Sequence, residues 1–368
     1  MELNRLKIGV TEDMTIVWLK FRYVHVLVIG KSGTGKSSML LYWWYQDSFY
    51  PFSKIMIEPS GFLAEKAYAL SKGNTLYCSL KTPISINPLQ MPYDPNQISD
   101  NIAEALNQVI SITSPGNKEM TVKMRGILDR GVKYCLAHNQ KNLLNVRDWI
   151  INLQDKGTGE TRDGIIQRLN FLLNDDRMLP ILCGNNSVKW GELIEKGQSF
   201  IMDCFGMGAE KMIFTGNLIS QGIKNYFRYE RPKDYKPCTL FIDECQLFTN
   251  TNFFDILKEG RKYKLSCILA TQDFSMMDEP LKHVICNVGN IVSYRLGWQE
   301  ATRIARELNT TPQTLQFLEK YHVAYMTPEE VGICKAPRPP FVPDKKVVLE
   351  PQKKSEPLKW FPLEPLEA

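Results

Sequence analysis

The sequence predicts an α/β fold with a mostly parallel sheet, an all-helical insertion and an extended tail. Short apolar runs alternate with helical patterns before residue 95 and again after residue 180, and this alternation is typical of parallel sheets. A glycine-rich turn at residues 30–37 directly follows one apolar run, as phosphate-binding loops do. From residue 337 onward the chain contains eight prolines and alternating charges, so we expect no packed domain there.

The composition is that of an ordinary globular protein. Of the 368 residues, 43% are hydrophobic and 23% are charged, and the net charge of +5 does not by itself imply a nucleic-acid partner. Nine cysteines without a C-x-x-C pair and four dispersed histidines favour neither a zinc site nor a disulfide framework. No apolar run approaches the roughly 18 residues of a membrane span, and no signal-peptide pattern is present. We therefore expect a cytoplasmic protein without a transmembrane segment of its own.

The predicted elements follow from apolar periodicity. Residues 1–23 predict a hairpin that leads into a strand at 24–29, and residues 98–173 predict a block of helices. Further strands are predicted at 54–58, 76–79, 199–202, 239–242, 266–270 and 290–294, and further helices at 39–45, 62–70, 212–229 and 299–309. These elements divide the chain into an N-terminal part of the core at 1–95, the insertion at 96–180, a C-terminal part of the core at 181–336 and the tail at 337–368.

The predicted insertion is locally basic. Between residues 118 and 147 it contains two acidic residues, Glu119 and Asp129, and seven basic ones, which are Lys118, Lys123, Arg125, Arg130, Lys133, Lys141 and Arg147. Such a group is either a solvated helix face or a contact surface for nucleic acid.

Residues 30–37 fit the phosphate-loop pattern G-x-x-x-x-G-K-[ST]. Gly33 and Gly35 permit backbone conformations and a close approach that a side chain would prevent. Successive N–H groups and the N-terminus of the next helix then face the phosphates, Lys36 reaches the β- and γ-phosphates, and the Ser37 hydroxyl ligates Mg²⁺. The loop is therefore predicted to bind a nucleoside triphosphate through Gly30, Lys31, Ser32, Gly33, Thr34, Gly35, Lys36, Ser37 and Ser38.

A phosphate loop also needs a carboxylate to hold the metal, and two strand ends offer one. Asp243 is followed by Glu244, so that one acid can support Mg²⁺ and the next can orient and deprotonate the attacking water. Asp203 is the alternative carboxylate for the metal. The other alternative is that Asp243 and Glu244 are a solvated acid pair with no role in catalysis.

Four motifs together resemble those of the HerA–FtsK superfamily of hexameric translocation ATPases. They are the phosphate loop, Leu240-Phe241-Ile242-Asp243-Glu244, Gly260-Arg261-Lys262-Tyr263 and Leu269-Ala270-Thr271-Gln272. The order of these motifs extends the resemblance from residue 20 to about residue 335. Within the superfamily, the sequence is most similar to HerA-type DNA translocases and to the motors of conjugation and type IV secretion. The resemblance implies a RecA-like P-loop ATPase that uses ATP and Mg²⁺ and assembles as a homohexameric ring.

The resemblance also implies roles for single residues. The residues implied in catalysis are Lys36, Glu244, Gln272 and Arg261, and those implied in metal binding are Ser37 and Asp243. Gln272 would sense the γ-phosphate, and Arg261 would act on the neighbouring subunit's nucleotide as an arginine finger, a contribution of roughly 10³–10⁵ in rate. A solvated helix end is the alternative for Arg261. Arg295 is a weaker finger candidate, for which a structural salt bridge is the alternative.

The sequence also departs from the superfamily. It shows no N-terminal β-barrel domain and no transmembrane anchor, and residues 58–61 read Glu-Pro-Ser-Gly where relatives usually carry an aspartate and a basic residue. The motor core is therefore predicted, but the cellular pathway is not.

The predicted function is a ring motor that moves DNA in conjugation, genome packaging or DNA processing. Its expected partners are further copies of itself, DNA, and membrane-associated or nuclease proteins. A secretion ATPase that energises protein export or assembly without DNA is the alternative from another class. A non-hydrolysing assembly factor is a third, which the acid pair disfavours. A GTPase is not indicated, because residues 117–120 lack the aspartate of an N-K-x-D motif.

Overall fold

A computed structural model describes residues 5–113, 119–154, 157–230, 234–248, 251–275, 277, 279–286, 288–340 and 342. The predicted tail from residue 343 onward and Lys118 of the basic group lie outside these residues. The strands of the described part are β1 (Arg5–Val10), β2 (Ile16–Lys20), β3 (Val26–Ile29), β4 (Ser53–Glu58), β5 (Thr75–Cys78), β6 (Ser199–Asp203), β7 (Cys238–Ile242), β8 (Leu265–Thr271), β9 (Asn290–Ser293), β10 (His322–Met326) and β11 (Val331–Lys335).

These strands form one sheet in the order β2-β1-β11-β10-β9-β3-β8-β7-β4-β6-β5. The six strands from β9 to β6 pair in parallel, whereas β10, β11, β1 and β2 extend the sheet through antiparallel pairs. The predicted parallel core and the predicted N-terminal hairpin are confirmed. The antiparallel strands β10 and β11 were not predicted.

The burial of the strands follows the pairing. Every residue of β3, β4, β6, β7, β8 and β9 is buried, as expected for parallel strands that are covered on both faces. Strand β2 instead alternates exposed and buried residues, so one of its faces is open. The long apolar runs of the core strands thus mark the centre of the sheet.

Thirteen α-helices occur in the described part of the chain, and several of them lie in the predicted insertion. They are α1 (Lys36–Asp47), α2 (Phe62–Leu70), α3 (Pro95–Thr113), α4 (Val122–Ala137), α5 (Leu143–Ile151), α6 (Gly159–Leu173), α7 (Leu179–Leu182), α8 (Trp190–Glu195), α9 (Ala209–Asn225), α10 (Thr251–Glu259), α11 (Glu279–Cys286), α12 (Trp298–Ile304) and α13 (Pro312–Gln316). The segment between β5 and β6 contains α3 to α8 and no strand within the described residues, which agrees with an all-helical insertion. The helix predicted over 299–309 ends earlier, at Ile304.

The chain forms two compact units. The first comprises the described residues of Met1–Tyr77, Trp190–Phe205 and Ile223–Val348, and the second those of Cys78–Lys189 and Gly206–Gly222. In the second unit, side-chain caps start two helices: Thr121 accepts a hydrogen bond from the Met124 amide at 3.2 Å, and Asn142 accepts one from the Asn145 amide at 2.9 Å.

A buried ion pair joins the hairpin to the end of α1 in the first unit. Nη2 of Arg22 lies 2.6 Å from Oδ1 of Asp47, and the two side chains are 1% and 0% exposed. The rings of Phe21, Tyr50 and Phe52 lie 4.7, 5.2 and 4.5 Å from the guanidinium carbon. Because water does not reach either side chain, the two opposite charges compensate each other inside the protein.

We expect Asp47→Ala to destabilise the protein by about 3–5 kcal/mol, because it leaves the buried Arg22 charge without its carboxylate. The free energy of unfolding in urea measures this loss. The matched control is Glu192→Ala, which removes the exposed pair with Lys196 at 2.9 Å and should cost less than about 1 kcal/mol. Equal losses in the two variants would contradict the stabilising role of the buried pair.

Candidate active site

The phosphate loop connects the end of β3 to the start of α1. Gly33 and Gly35 have φ values of +73° and +122°, a region that side chains rarely permit. The ring of Tyr294 also lies against the loop: a Cβ atom on Gly35 would come within 3.1 Å of Tyr294 Cε1, and one on Gly30 within 2.6 Å of Tyr294 Cβ. Both the backbone conformation and the close approach of this ring therefore require the glycines.

Main-chain hydrogen bonds connect the phosphate loop to the residues that follow β9. The Tyr294 amide donates a hydrogen bond to the Ile29 carbonyl at 2.8 Å, and the Lys31 amide donates one to the Arg295 carbonyl at 2.9 Å. The Arg295 guanidinium donates to the Leu318 carbonyl through Nε at 3.2 Å and Nη2 at 3.1 Å. The Arg295 guanidinium thus bonds to a main-chain carbonyl, and its two predicted roles, a finger or a structural salt bridge, stay predictions.

Lys36 lies buried at the first position of α1. Its ammonium donates hydrogen bonds to the carbonyl oxygens of Gly30 at 2.9 Å and Lys31 at 3.3 Å, both within the loop. Burial lowers the pKa of Lys36, and the carboxylates of Glu244 and Asp243 oppose this shift. The two carbonyl oxygens therefore hold the Lys36 ammonium inside the phosphate loop.

The Ser37 hydroxyl donates a hydrogen bond to Oδ2 of Asp243 at 2.9 Å. Burial is the main cause that raises the pKa of Asp243 to about 6, and the charges of Glu244 and Glu58 raise it further, whereas the bond from Ser37 lowers it. The contact joins two oxygen donors from residues 206 positions apart. Hard oxygen donors of this kind are the ligands that Mg²⁺ prefers.

The alternative metal carboxylate, Asp203, lies in β6, which β4 separates from β7. It accepts hydrogen bonds from the Tyr77 hydroxyl at 2.7 Å and from the Phe205 amide at 2.9 Å. The Ser37 hydroxyl therefore meets Asp243 and not Asp203.

Two glutamine side chains hold the carboxylate of Glu244. Nε2 of Gln272 donates to Oε1 at 2.6 Å, and Nε2 of Gln246 donates to Oε2 at 2.7 Å. The Thr271 hydroxyl donates in turn to Oε1 of Gln246 at 2.8 Å. Glu244 itself has a φ of +49°, a left-handed conformation that is unfavourable for a residue with a side chain. Its backbone and its carboxylate are thus both held in one arrangement by their surroundings.

Arg261 is exposed in a 3₁₀ helix, Gly260–Tyr263, that ends just before β8 begins. Gln272 directly follows the other end of β8, and a seven-residue strand spans roughly 20 Å. The fold therefore brings Lys36, Ser37, Asp243, Glu244 and Gln272 to one edge of the sheet and leaves Arg261 at the opposite edge.

Sequence reasoning did not identify Gln246 and Tyr294 as residues of the site. Gln246 follows Glu244 by two positions, but no spacing rule links the two side chains. Tyr294 ends a predicted strand, and the sequence contains no signal that its ring lies on the loop. Among the described residues, no group of three or more His, Cys, Asp or Glu side chains could hold a metal ion, and no helix is long and apolar enough to span a bilayer.

Neither a protein-family model nor a curated protein matches the sequence. Among solved structures, VirB4 of Thermoanaerobacter pseudethanolicus matches with a TM-score of 0.71 and 14% identity over 92% of this chain and 97% of that one. The bacterial conjugative coupling protein TrwBΔN70 matches with a TM-score of 0.71 and 15% identity over 92% of this chain and 90% of that one.

TrwB also matches in two nucleotide complexes. Its complex with the non-hydrolysable ATP analogue ADPNP has a TM-score of 0.69 at 16% identity and covers 88% of this chain and 87% of that one. Its complex with ADP and Mg²⁺ has a TM-score of 0.69 at 15% identity and covers 88% of each chain. The chain therefore has the fold of VirB4 and TrwB, and the RecA-like P-loop fold that the resemblance to the HerA–FtsK superfamily implies is confirmed.

Proposed function

We propose that this chain is a Mg²⁺-dependent ATPase that works as a hexameric ring and translocates DNA. The observation that carries the proposal is the hydrogen bond between Ser37 and Asp243. Next to it lies the carboxylate of Glu244, which accepts hydrogen bonds from the side-chain amides of Gln246 and Gln272. A loop that binds phosphates, a metal carboxylate and a general base then share one edge of the sheet, which is the arrangement that nucleotide hydrolysis needs. TrwB, which has the same fold, is known in complexes with ADPNP and with ADP and Mg²⁺.

The residues of the loop fit a nucleotide with its metal. The Lys36 ammonium already faces the loop, and a phosphate would offer it a charged acceptor in place of two carbonyl oxygens. Ser37 and Asp243 provide two oxygen donors for Mg²⁺. When bound, Mg²⁺ neutralises the charge of the phosphate oxygens. A cation at this point also favours the ionised form of Asp243, whose charge burial disfavours.

Glu244 is the proposed general base. The amides of Gln272 and Gln246 donate to its two carboxylate oxygens, so the carboxylate cannot rotate freely. An oriented carboxylate can accept a proton from a water that lies in line with the γ-phosphate. Gln272 is proposed to sense the γ-phosphate, because its contact links β8 directly to the base.

The position of Arg261 supports an action between subunits. The arginine precedes β8 and lies roughly 20 Å from the edge that holds the loop, so it cannot reach the nucleotide of its own chain. An exposed arginine at this edge is available to a neighbouring copy, as the proposed ring requires.

The charge of the insertion supports DNA as the polymer. Lys123 and Arg130 are both exposed on α4 and stand seven residues apart, so they share one helix face. Basic side chains on one face can contact DNA phosphates, and such contacts bind DNA without reading its sequence. The solved TrwB is a conjugative coupling protein. A cytoplasmic location and membrane-associated or nuclease partners stay predictions.

The second candidate is a secretion ATPase that works without DNA, and one observation favours it. Lys133 forms an ion pair with Asp129 at 2.7 Å, and Arg147 forms one with Asp148 at 3.1 Å. These pairs reduce the positive charge that the insertion offers to a phosphate backbone.

We expect Lys36→Ala to abolish ATP binding and turnover, and Glu244→Gln to bind ATP but lose at least about 10²-fold in turnover, because only the second variant keeps the phosphate contacts. Binding of a fluorescent ATP analogue and release of phosphate measure the two steps. Asp203→Asn is the matched control and should keep its turnover. Near-normal turnover by Glu244→Gln would show that Glu244 is not the base.

We expect Arg261→Ala to bind ATP yet lose hydrolysis, whereas Lys262→Ala, its exposed neighbour, should remain active. Mixing Arg261→Ala with Lys36→Ala subunits should restore part of the hydrolysis, because each supplies what the other lacks at mixed interfaces. ATP turnover of the mixture, measured against each variant alone, tests this. A fully active monomer at high dilution would refute the action between subunits.

We expect Lys123→Glu with Arg130→Glu to lower DNA affinity and to flatten the dependence of log affinity on log salt by about one unit per lost phosphate contact. Fluorescence anisotropy at several salt concentrations measures both. The matched control, Lys81→Glu with Lys320→Glu, changes the net charge equally at exposed sites elsewhere and should bind normally. Basal ATP hydrolysis should persist in both variants.

Two outcomes would contradict this assignment. Unchanged DNA affinity in the α4 variant would exclude these two side chains as the contact. Absence of DNA binding by the unmutated protein at every salt concentration would favour the secretion ATPase.

A further inference from the structure

An aromatic groove lies between the C-terminal part of α1 and the hairpin β1–β2, within the first compact unit. It has a volume of about 460 Å³, and its lining includes Arg5 together with five aromatic side chains, Trp18, Tyr42, Tyr45, Phe49 and Tyr50. Two of the rings are open to solvent, because Trp18 is 39% and Phe49 is 52% exposed. None of these residues belongs to the candidate active site.

Two of the rings are arranged edge to face, and two basic side chains lie beside the groove. The rings of Tyr45 and Phe49 lie 5.1 Å apart at an angle of 81°. The ammonium of Lys72 lies 3.6 Å from the centre of the Phe49 ring, and Arg5 lines the groove directly. Aromatic grooves of this kind bind extended proline-rich segments, because proline rings pack between aromatic rings and the polyproline II helix loses little entropy on binding.

The chain itself directs such a segment toward the groove. Strand β11 pairs antiparallel with β1 in the register Val10 to Lys335, and its ladder with β10 continues through a 2.8 Å hydrogen bond from the Ala336 amide to the Tyr321 carbonyl. Because the strands run in opposite directions, the chain that follows Lys335 heads toward Arg5, at the other end of β1.

The length of the tail is sufficient. Arg5 lies five residues from Val10, which is roughly 17 Å along the strand. Pro357 follows Val342 by fifteen positions, which can span roughly 46 Å as polyproline II.

The sequence of the tail matches the chemistry of the groove. Pro362-Leu363-Glu364-Pro365 has the P-x-x-P spacing of polyproline II ligands, and Pro357 precedes it. The segment itself contains one acidic and one basic residue, Glu364 and Lys359, and two further acids, Glu356 and Glu367, flank it. These acids have the opposite charge to Arg5 and Lys72 at the rim of the groove. We propose that the aromatic groove binds residues 357–365 of the same chain as a polyproline II segment.

Photo-cross-linking in the full chain tests the proposal. The photoreactive residue p-benzoylphenylalanine replaces Phe49, and mass spectrometry identifies the tryptic peptide that it captures. We expect capture of the peptide 360–368, which contains both prolines of the P-x-x-P motif. The same replacement at Phe317, which is 78% exposed and lies outside the groove, should not capture this peptide.

A second change tests the role of the prolines themselves. Pro362→Ala with Pro365→Ala should reduce the yield of the cross-link at position 49 to the level of the Phe317 control. Pro351→Ala, which removes a proline of the tail outside the proposed segment, should leave the yield unchanged. An undiminished yield in the double variant would overturn the proposal.

Two further measurements separate this occupant from others. In an equal mixture of ¹⁵N-labelled and unlabelled protein, cross-links should join only peptides of the same isotope, and mixed pairs would show that the tail of a second copy fills the groove. Addition of a single-stranded oligonucleotide should not displace the tail. Capture of the oligonucleotide at position 49 in place of the tail would identify a base-stacking site. Either of these results would overturn the proposal.

Discussion

Strand β3 is hydrogen bonded on both sides by parallel strands, and the other parts of the candidate site depend on that register. Ile29 lies opposite Thr271 of β8 and opposite Ser293 of β9. The residues that follow these three leave the sheet in one row, as the phosphate loop, Gln272 and Tyr294. A shift of one residue in either ladder would turn each strand's side chains to the opposite face. The backbone hydrogen bonds between these strands therefore determine where the residues of the site lie.

The charges of the site are placed where water cannot solvate them. Burial raises the pKa of Asp243 and lowers the pKa of Lys36, so it disfavours the charged form of both groups. Glu58, at the end of β4, raises the pKa of Asp243 further. In the proposed ATPase, phosphate and metal would add charges of the opposite sign beside these two side chains. The site therefore gains favourable interactions from the ligand that it could not obtain from the fold alone.

The sequence predicts the local parts of this arrangement best. The helix at Phe62–Leu70 and the buried strands on both sides of the acid pair were predicted because their signals lie within a few neighbouring residues. Strand β11 was missed because it is short and mostly exposed, and one of its two partners, β1, lies more than 300 residues away. The role of Gln246 was missed for a similar reason, since its contacts to Glu244 and Thr271 exist only once the two strand ends meet.

Strand β8 is buried along its whole length and is paired on both sides, with β3 and with β7. Such a strand can neither stretch nor bend appreciably, so a displacement at one end moves the other end as well. Arg261 precedes the strand and Gln272 follows it. In the proposed ring, the two ends of this single rigid element would therefore touch two different nucleotides. In that ring, loss of a γ-phosphate in one subunit would shift the arginine beside the neighbouring subunit's nucleotide, so hydrolysis in one subunit would affect hydrolysis in the next.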